Sequence, residues 1–265
     1  FHGGKAVPYG YIEGKNNFDI DTDMLESQIT SRTRLLVLND LQNPTGAECS
    51  QAELEKIAEL VLKYNLYVLC DEAYFDIRYE GRSKSLVSLP GMAERCVILH
   101  TFSKKFAMTG WRLGATIGPK EIIELIIKLN VNEESCSNHF VQYAAIEGLT
   151  GDQTEPQQIL TTLKDRRDLA VDLLNNIEGI RCIRPNATFY LYPNVTGAMK
   201  KTGLTDYDDF RRTALQETGV SFCTRLHFGR PLDGEDQYYI RMAYSGIEQA
   251  EIREGLGKFK AFIEG

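Results

Sequence analysis

The chain lacks a long apolar run, an excess of basic charge, a cysteine pairing pattern and a dinucleotide glycine fingerprint, and each absence removes a class of function. The stretch from Glu121 to Val131 is interrupted by Glu124 and Lys128, so no segment approaches bilayer-spanning length and a soluble protein is expected. With 30 Lys and Arg against 37 Asp and Glu, the net charge is -7 and there is no polybasic tract. Nothing would release counterions from phosphates, so nucleic acid is excluded as a partner. The six cysteines, Cys49, Cys70, Cys96, Cys136, Cys182 and Cys223, are scattered without Cys-x-x-Cys spacing or histidines at metal distance. Free thiols in a reducing cytoplasm, and no metal, are the reading. No Gly-x-Gly-x-x-Gly follows a strand, which disfavours a nucleotide-dependent dehydrogenase. Asn186-Ala187-Thr188 and Asn194-Val195-Thr196 match the glycosylation sequon, a match without meaning unless the chain is secreted. The start at Phe1, with neither an initiator methionine nor a charged segment before an apolar core, gives no secretory signal and reads as a fragment.

What is present is ordinary globular material, 265 residues with 43% hydrophobic and 25% charged side chains. Leu35 to Asn39, Leu66 to Cys70 and Cys96 to His100 are short and rich in Val, Leu and Ile. They read as parallel strands buried on both faces. Between the first two, Ser50 and Glu53 form a capping box ahead of an apolar stripe of Leu54, Ile57, Ala58 and Val61, which predicts a helix over Ser50 to Tyr64. Leu113 to Gly118 is a further candidate strand. Pro119 then starts a helix with an apolar face of Ile122, Leu125, Ile126 and Leu129. The composition turns polar around Gly151 to Pro156, where a domain boundary is expected. Beyond it the pattern is helix (Gln157 to Ile177), strand (Ile180 to Arg184), strand (Thr188 to Tyr192), helix (Asp206 to Thr218), strand (Gln237 to Ala243) and helix (Ile247 to Ile263), which suits a small α+β domain.

In open α/β sheets ligands bind beyond the carboxyl ends of the strands. Three polar clusters fall there: Asn43 in Asn-Pro-Thr-Gly, Asp71 with Tyr74, and Thr101 with Lys104. Singly, each has an ordinary alternative: a turn asparagine, a helix-capping aspartate with a packed tyrosine, and a solvated Lys104-Lys105 pair. Together, and with Arg112 eight residues after Lys104, they suggest an amine nucleophile beside an anion clamp. Arg241 lies within the apolar run Tyr238 to Ala243, where burial demands a partner.

Asn43-Pro44-Thr45-Gly46, Asp71-Glu72-Ala73-Tyr74, Ser103-Lys104 with Gly110-Trp111-Arg112-Leu113-Gly114, and Tyr239-Ile240-Arg241-Met242, in that order, resemble the aspartate aminotransferase family, the class I and II pyridoxal 5'-phosphate enzymes of fold type I. The resemblance covers nearly the whole chain. It implies an α/β large domain with a mostly parallel sheet over residues 1–152, lacking its N-terminal part, and a small α+β domain over residues 153–265. It implies that Lys104 holds the cofactor through a Schiff base and moves the α-proton, with Lys105 the competing nucleophile. By the same resemblance Asp71 pairs with the pyridine nitrogen, and Tyr74 and Asn43 donate to the phenolate oxygen. Thr101, Ser103 and Arg112 take the phosphate, and Arg241 with Asn43 takes the substrate carboxylate.

The implied activity is amino transfer between an amino acid and a 2-oxo acid, in a cytoplasmic homodimer. Elimination chemistry, as in carbon-sulfur lyases and aminocyclopropane carboxylate synthases, is the alternative, and a noncatalytic binding or regulatory domain is a third reading. The segment departs from the family at Cys223 to Gly229, where a Pro-Gly loop is usual before Phe-Gly, and at Pro185 to Tyr190, which lacks a usual glycine. The family's glycine-rich phosphate loop and ring-stacking aromatic residue precede the part represented here.

Overall fold

The computed structural model describes residues 3–231 and 233–265. In chain order the elements are β1 (Tyr11–Glu13), β2 (Phe18–Ile20), α1 (Thr22–Gln28), β3 (Leu35–Asn39), α2 (Gln51–Lys63), β4 (Tyr67–Asp71), β5 (Cys96–Thr101) and β6 (Gly114–Ile117). There follow α3 (Lys120–Glu133), α4 (His139–Thr150), α5 (Thr154–Asn175), β7 (Tyr190–Leu191), α6 (Thr196–Thr202), α7 (Tyr207–Thr218), β8 (Cys223–Thr224), β9 (Ile240–Ala243) and α8 (Gln249–Glu264). The chain divides into two compact units. One comprises Ile20–Leu41 and Glu48–Leu160, and the other the chain before Ile20, Gln42–Ala47 and Thr161–Gly265.

The first unit is built on a four-stranded sheet in the order β3-β4-β5-β6. Its first three strands run parallel, with Asn39 opposite Asp71 and Asp71 opposite Leu99. β6 runs antiparallel to β5, with Thr101 opposite Gly114. Gly114 is required there, because a Cβ would stand 2.7 Å from the His100 carbonyl oxygen. The expected capping box forms at α2: Ser50 Oγ accepts from the Glu53 amide at 3.2 Å, and Glu53 Oε2 accepts from the Ser50 amide at 2.8 Å. The remaining Glu53 oxygen accepts from the Ile20 amide at 2.8 Å, so one carboxylate both caps α2 and secures the end of β2. Leu54, Ile57, Leu60 and Val61 are essentially inaccessible, each burial contributing about 1.5–3 kcal/mol.

Two expectations need correction here. β3 and β4 are not buried on both faces: Leu36, Leu38, Val68 and Cys70 are covered, while Leu35 and Val37 are 52% and 51% exposed and Tyr67 is 47% exposed; β5 does meet the expectation at its start, where the consecutive residues Cys96, Val97 and Ile98 are all buried. Aliphatic runs report that a strand suits a sheet, and among the described residues only one face of β3 and β4 finds a covering layer. In α3 the apolar residues Ile122, Leu125, Ile126 and Leu129 lie at helical spacing as expected, yet no residue of the helix is buried.

The second unit carries a three-stranded antiparallel sheet, β7-β9-β8, with Tyr190 opposite Ala243 and Cys223 opposite Arg241. α7 starts at Asp206, whose carboxylate accepts from the Asp208 and Asp209 amides, and stops at Gly219 in the left-handed conformation (φ 74°). It packs with α8 through a phenylalanine cluster in which Phe210 and Phe259 are fully buried beside Phe222 and Phe262. The strand expected over Ile180 to Arg184 is a single bridge, Arg181 with Asn194, joined by reciprocal bonds of 3.0 and 2.8 Å. Pro185 and Pro193 flank that bridge without amide donors, and Thr188 at φ 63° breaks the extended run before β7. The result is an α/β chain with a mixed sheet in one unit and an α+β arrangement in the other.

Candidate active site

In the first unit, Asp71 and Thr101 are the last residues of the neighbouring parallel strands β4 and β5. Asp71 Oδ1 accepts from the Ala73 amide at 3.1 Å, and the Asp71 carbonyl accepts from Asn39 Nδ2 at 3.0 Å, so backbone and carboxylate are both oriented. Glu72 beside it is different: burial pushes its carboxyl above the ordinary range, partly offset by the Ser85 hydroxyl, and the charge of Asp40 adds to the rise. Tyr74, in the turn after β4, is buried at 4% exposure.

The segment after β5 is held by its own side chains. Thr101 Oγ1 lies 2.9 Å from Ser103 Oγ and accepts from the Ser103 amide at 3.1 Å, which brings two hydroxyls together at the strand end. Lys104 follows directly, its Nζ 5.5 Å from the centre of the Tyr74 ring. Lys105 points elsewhere, to an ion pair with Asp76 at 3.5 Å. Thr109 Oγ1 donates to the Ser103 carbonyl at 3.2 Å, and Arg112 Nη1 donates to the Thr109 carbonyl at 2.8 Å. Arg112 has left-handed backbone angles (φ 55°, ψ 54°), unusual for a residue with a side chain and costing of order 1–3 kcal/mol. Ala107, at φ 52°, is the second such residue in this loop. The guanidinium of Arg112 is exposed.

The second unit holds Asn43 and Arg241. Arg241 Nη1 donates to Asn43 Oδ1 at 2.8 Å across 198 positions of sequence. The Arg241 guanidinium carbon lies 4.3 Å from the centre of the Tyr190 ring and 4.7 Å from that of Phe228, and Nη2 reaches Cys223 Sγ at 3.8 Å. Its Nε is buried without a hydrogen-bond partner. A guanidinium flanked by two rings, with an unspent buried donor, is suited to a carboxylate.

These residues fit a phosphorylated pyridine aldehyde. The first unit offers an amine for the aldehyde, a carboxylate for a protonated ring nitrogen, and two hydroxyls with a guanidinium nearby in sequence for a phosphate dianion. The partners Tyr190, Phe228 and Thr109 escape sequence reasoning. Tyr190 reads as a packed strand residue, Phe228 sits in a segment without periodicity, and Thr109 acts through a short-range bond that composition does not signal. Among the described residues no group of acidic, histidine or cysteine side chains could hold a metal, and no helix is long and apolar enough to cross a membrane.

Comparison with known proteins agrees with this geometry. The chain is 32% identical to the asparagine–oxo-acid transaminase of Streptococcus mutans, over 94% of this chain and 62% of that protein. It is 33% identical to the aspartate aminotransferase of Musicola paradisiaca, over 99% of this chain and 65% of that one. Among solved structures, the alanine aminotransferase of Pyrococcus furiosus superposes with a TM-score of 0.87 at 29% identity, covering 99% of this chain and 65% of that one. The chain thus spans 59–65% of the length of the curated relatives it matches. A family model for aminotransferase class I and II matches residues 1–259. Fold, polar constellation and matches together make this chain a member of the class I and II aminotransferases, with the fold type I architecture.

Proposed function

We propose that the full-length protein is a pyridoxal 5'-phosphate-dependent aminotransferase that moves an amino group between an L-amino acid and a 2-oxo acid, with Lys104 as its catalytic amine. The observation that carries the reading is the pair of adjacent lysines with separate fates: Lys104 stands over the buried Tyr74 ring, directly after the Thr101 and Ser103 hydroxyls, while Lys105 is bound to Asp76. When bound, the cofactor supplies an aldehyde that captures amines and a ring that accepts electron density from the substrate's α-carbon.

Lys104 Nζ would be the amine that holds the cofactor's aldehyde carbon and the base that would take and return the substrate's α-proton. An arginine could not replace it, because a guanidinium stays protonated. Asp71 would accept from the protonated ring nitrogen in a charge-assisted hydrogen bond of about 1.5–3 kcal/mol. Tyr74 and Asn43 would each donate to the cofactor's phenolate oxygen. Thr101, Ser103 and Arg112 would hold the phosphate, for which the planar guanidinium of Arg112 is a suited partner. Arg241, already oriented by Asn43, binds the substrate α-carboxylate through its remaining donors.

We read residues 1–152 as part of the cofactor-binding domain and residues 153–265 as the small domain. The sheet β3 to β6 lies within the first range and β7 to β9 within the second. The protein is further proposed to be a cytoplasmic homodimer, which sedimentation of the full-length protein tests; a monomer alone would refute it. Hydride reduction of the full-length holoprotein followed by peptide mapping should find the cofactor on Lys104. Recovery on Lys105, or on no lysine, rejects the assignment. Glutamate formation from an amino acid and 2-oxoglutarate supports amino transfer, whereas release of ammonia and pyruvate would replace it with elimination.

A further inference from the structure

We infer that Arg225 is a positioning residue: with Glu235 it fastens the turn at residues 225–230 so that Phe228 lies against Arg241 and keeps that guanidinium set for a carboxylate. The inference rests on the aminotransferase reading and concerns the segment that departs from the family's Pro-Gly pattern. Arg225 opens a single 3-10 turn, Arg225–Phe228, directly after β8. Its amide donates to the Tyr239 carbonyl at 2.9 Å, one residue before β9, and β9 carries Arg241.

The guanidinium then gathers the rest of the loop. Nε lies 2.8 Å from Glu235 Oε1 and Nη2 lies 3.3 Å from Glu235 Oε2. Nη1 donates to the Gly229 carbonyl at 3.1 Å and Nη2 to the Arg230 carbonyl at 2.9 Å. Every guanidinium nitrogen is therefore engaged. The two side chains are only 15% and 22% exposed, so the pair escapes most of the screening that makes surface ion pairs nearly neutral. Gly229, at φ 149°, supplies backbone angles that a residue with a side chain rarely adopts, and the turn made there presents its carbonyl to Arg225.

Phe228 is caught between Arg225 at one end of its turn and the Arg225-bound carbonyls of residues 229 and 230 immediately after it. Its ring stands 4.7 Å from the Arg241 guanidinium, which also meets Tyr190 and Asn43. A guanidinium already fixed in orientation loses less freedom when a carboxylate arrives, an advantage of roughly two- to tenfold in affinity for one side chain. Because carboxylate binding is shared by the ground and transition states, the effect falls on KM and not on kcat.

The test uses the full-length holoprotein with the substitutions Arg225→Met, Arg225→Lys, Glu235→Gln and Phe228→Leu. Arg225→Met should raise KM for both the amino acid and the 2-oxo acid by roughly three- to tenfold, with kcat within about twofold of the parent. Arg225→Lys, which keeps a cation for Glu235 but loses the fork, should recover part of the rise. The Arg241 Nε–H resonance, assigned by its loss in Arg241→Lys, should move on Arg225→Met and on Phe228→Leu, since two rings flank that group. An Arg225→Met protein with KM and the Arg241 resonance both unmoved overturns the inference, as does a fall in kcat at constant KM. If Arg225→Met does not fold, Glu235→Gln carries both readouts. A parent protein silent with every amino acid would reject the aminotransferase reading, and the Arg241 resonance would then decide the clamp by itself.

Discussion

Replacing Arg241 with methionine isolates the carboxylate-binding role proposed for it from its packing role. Methionine keeps an unbranched stem and a polarizable sulfur that can rest against Tyr190 and Phe228, but it has no charge and no donor. The change removes the 2.8 Å bond to Asn43, worth about 1 kcal/mol to the fold by the usual net value, so the protein should remain folded. A charge-assisted bond to a substrate carboxylate is worth about 1.5–3 kcal/mol. Its loss corresponds to a fall of roughly 10- to 150-fold in kcat/KM for an amino acid. The assay follows the first half-reaction by cofactor absorbance, once with an L-amino acid and once with a simple alkyl amine lacking the carboxylate. The amine should react with parent and variant at nearly the same rate. An equal loss for amine and amino acid would show that Arg241 acts on something other than the carboxylate, and the reasoning from its buried, unpartnered Nε would fail.

Lys105→Ala should leave the cofactor attached to Lys104 and reduce stability by no more than about 1 kcal/mol, because its ion pair with Asp76 is partly exposed; absorbance and urea unfolding check both parts. Phe210→Ala should destabilise by about 3–5 kcal/mol, read from the denaturant midpoint, since the side chain is fully buried among Phe222, Phe259 and Phe262. Burial pushes the Cys182 thiol up to about 12, only partly countered by Arg184. Its unfolded counterpart ionises near about 8.5, so the raised folded value makes this contribution complete below that pH and lost as pH climbs from there toward 12. Cys182→Ala should flatten the alkaline decline in unfolding free energy, and a thiol reagent at pH 8 should label exposed Cys136 well before Cys182.

Much of the first unit is legible locally. The Ser50–Glu53 box acts across three residues, so its residue types suffice to start α2, and Leu35–Asn39 matches the predicted strand at both ends. The order Asn43, Asp71, Lys104, Arg112 is equally visible, because the first three stand at or just after a strand that an aliphatic run announces and Arg112 follows Lys104 at a fixed spacing just before β6. Sequence patterning failed where the answer depended on a neighbour. The apolar stripe of α3 predicts an amphipathic helix and cannot say whether anything covers it. The run from Ile180 to Arg184 has strand-like side chains, but the prolines nearby reduce its pairing to one bridge.

Residue types and their short-range spacing determined where helices begin, which runs become strands, and which polar groups follow strand ends, because those choices depend on interactions within a few residues. Only the tertiary structure decided that Lys105 is engaged by Asp76, that Asn43 holds Arg241, and that Tyr190 and Phe228 flank the same guanidinium. Those pairings join residues from 13 to 198 positions apart, and distances of that kind are set by how sheets and loops pack, not by what stands beside a residue in the chain.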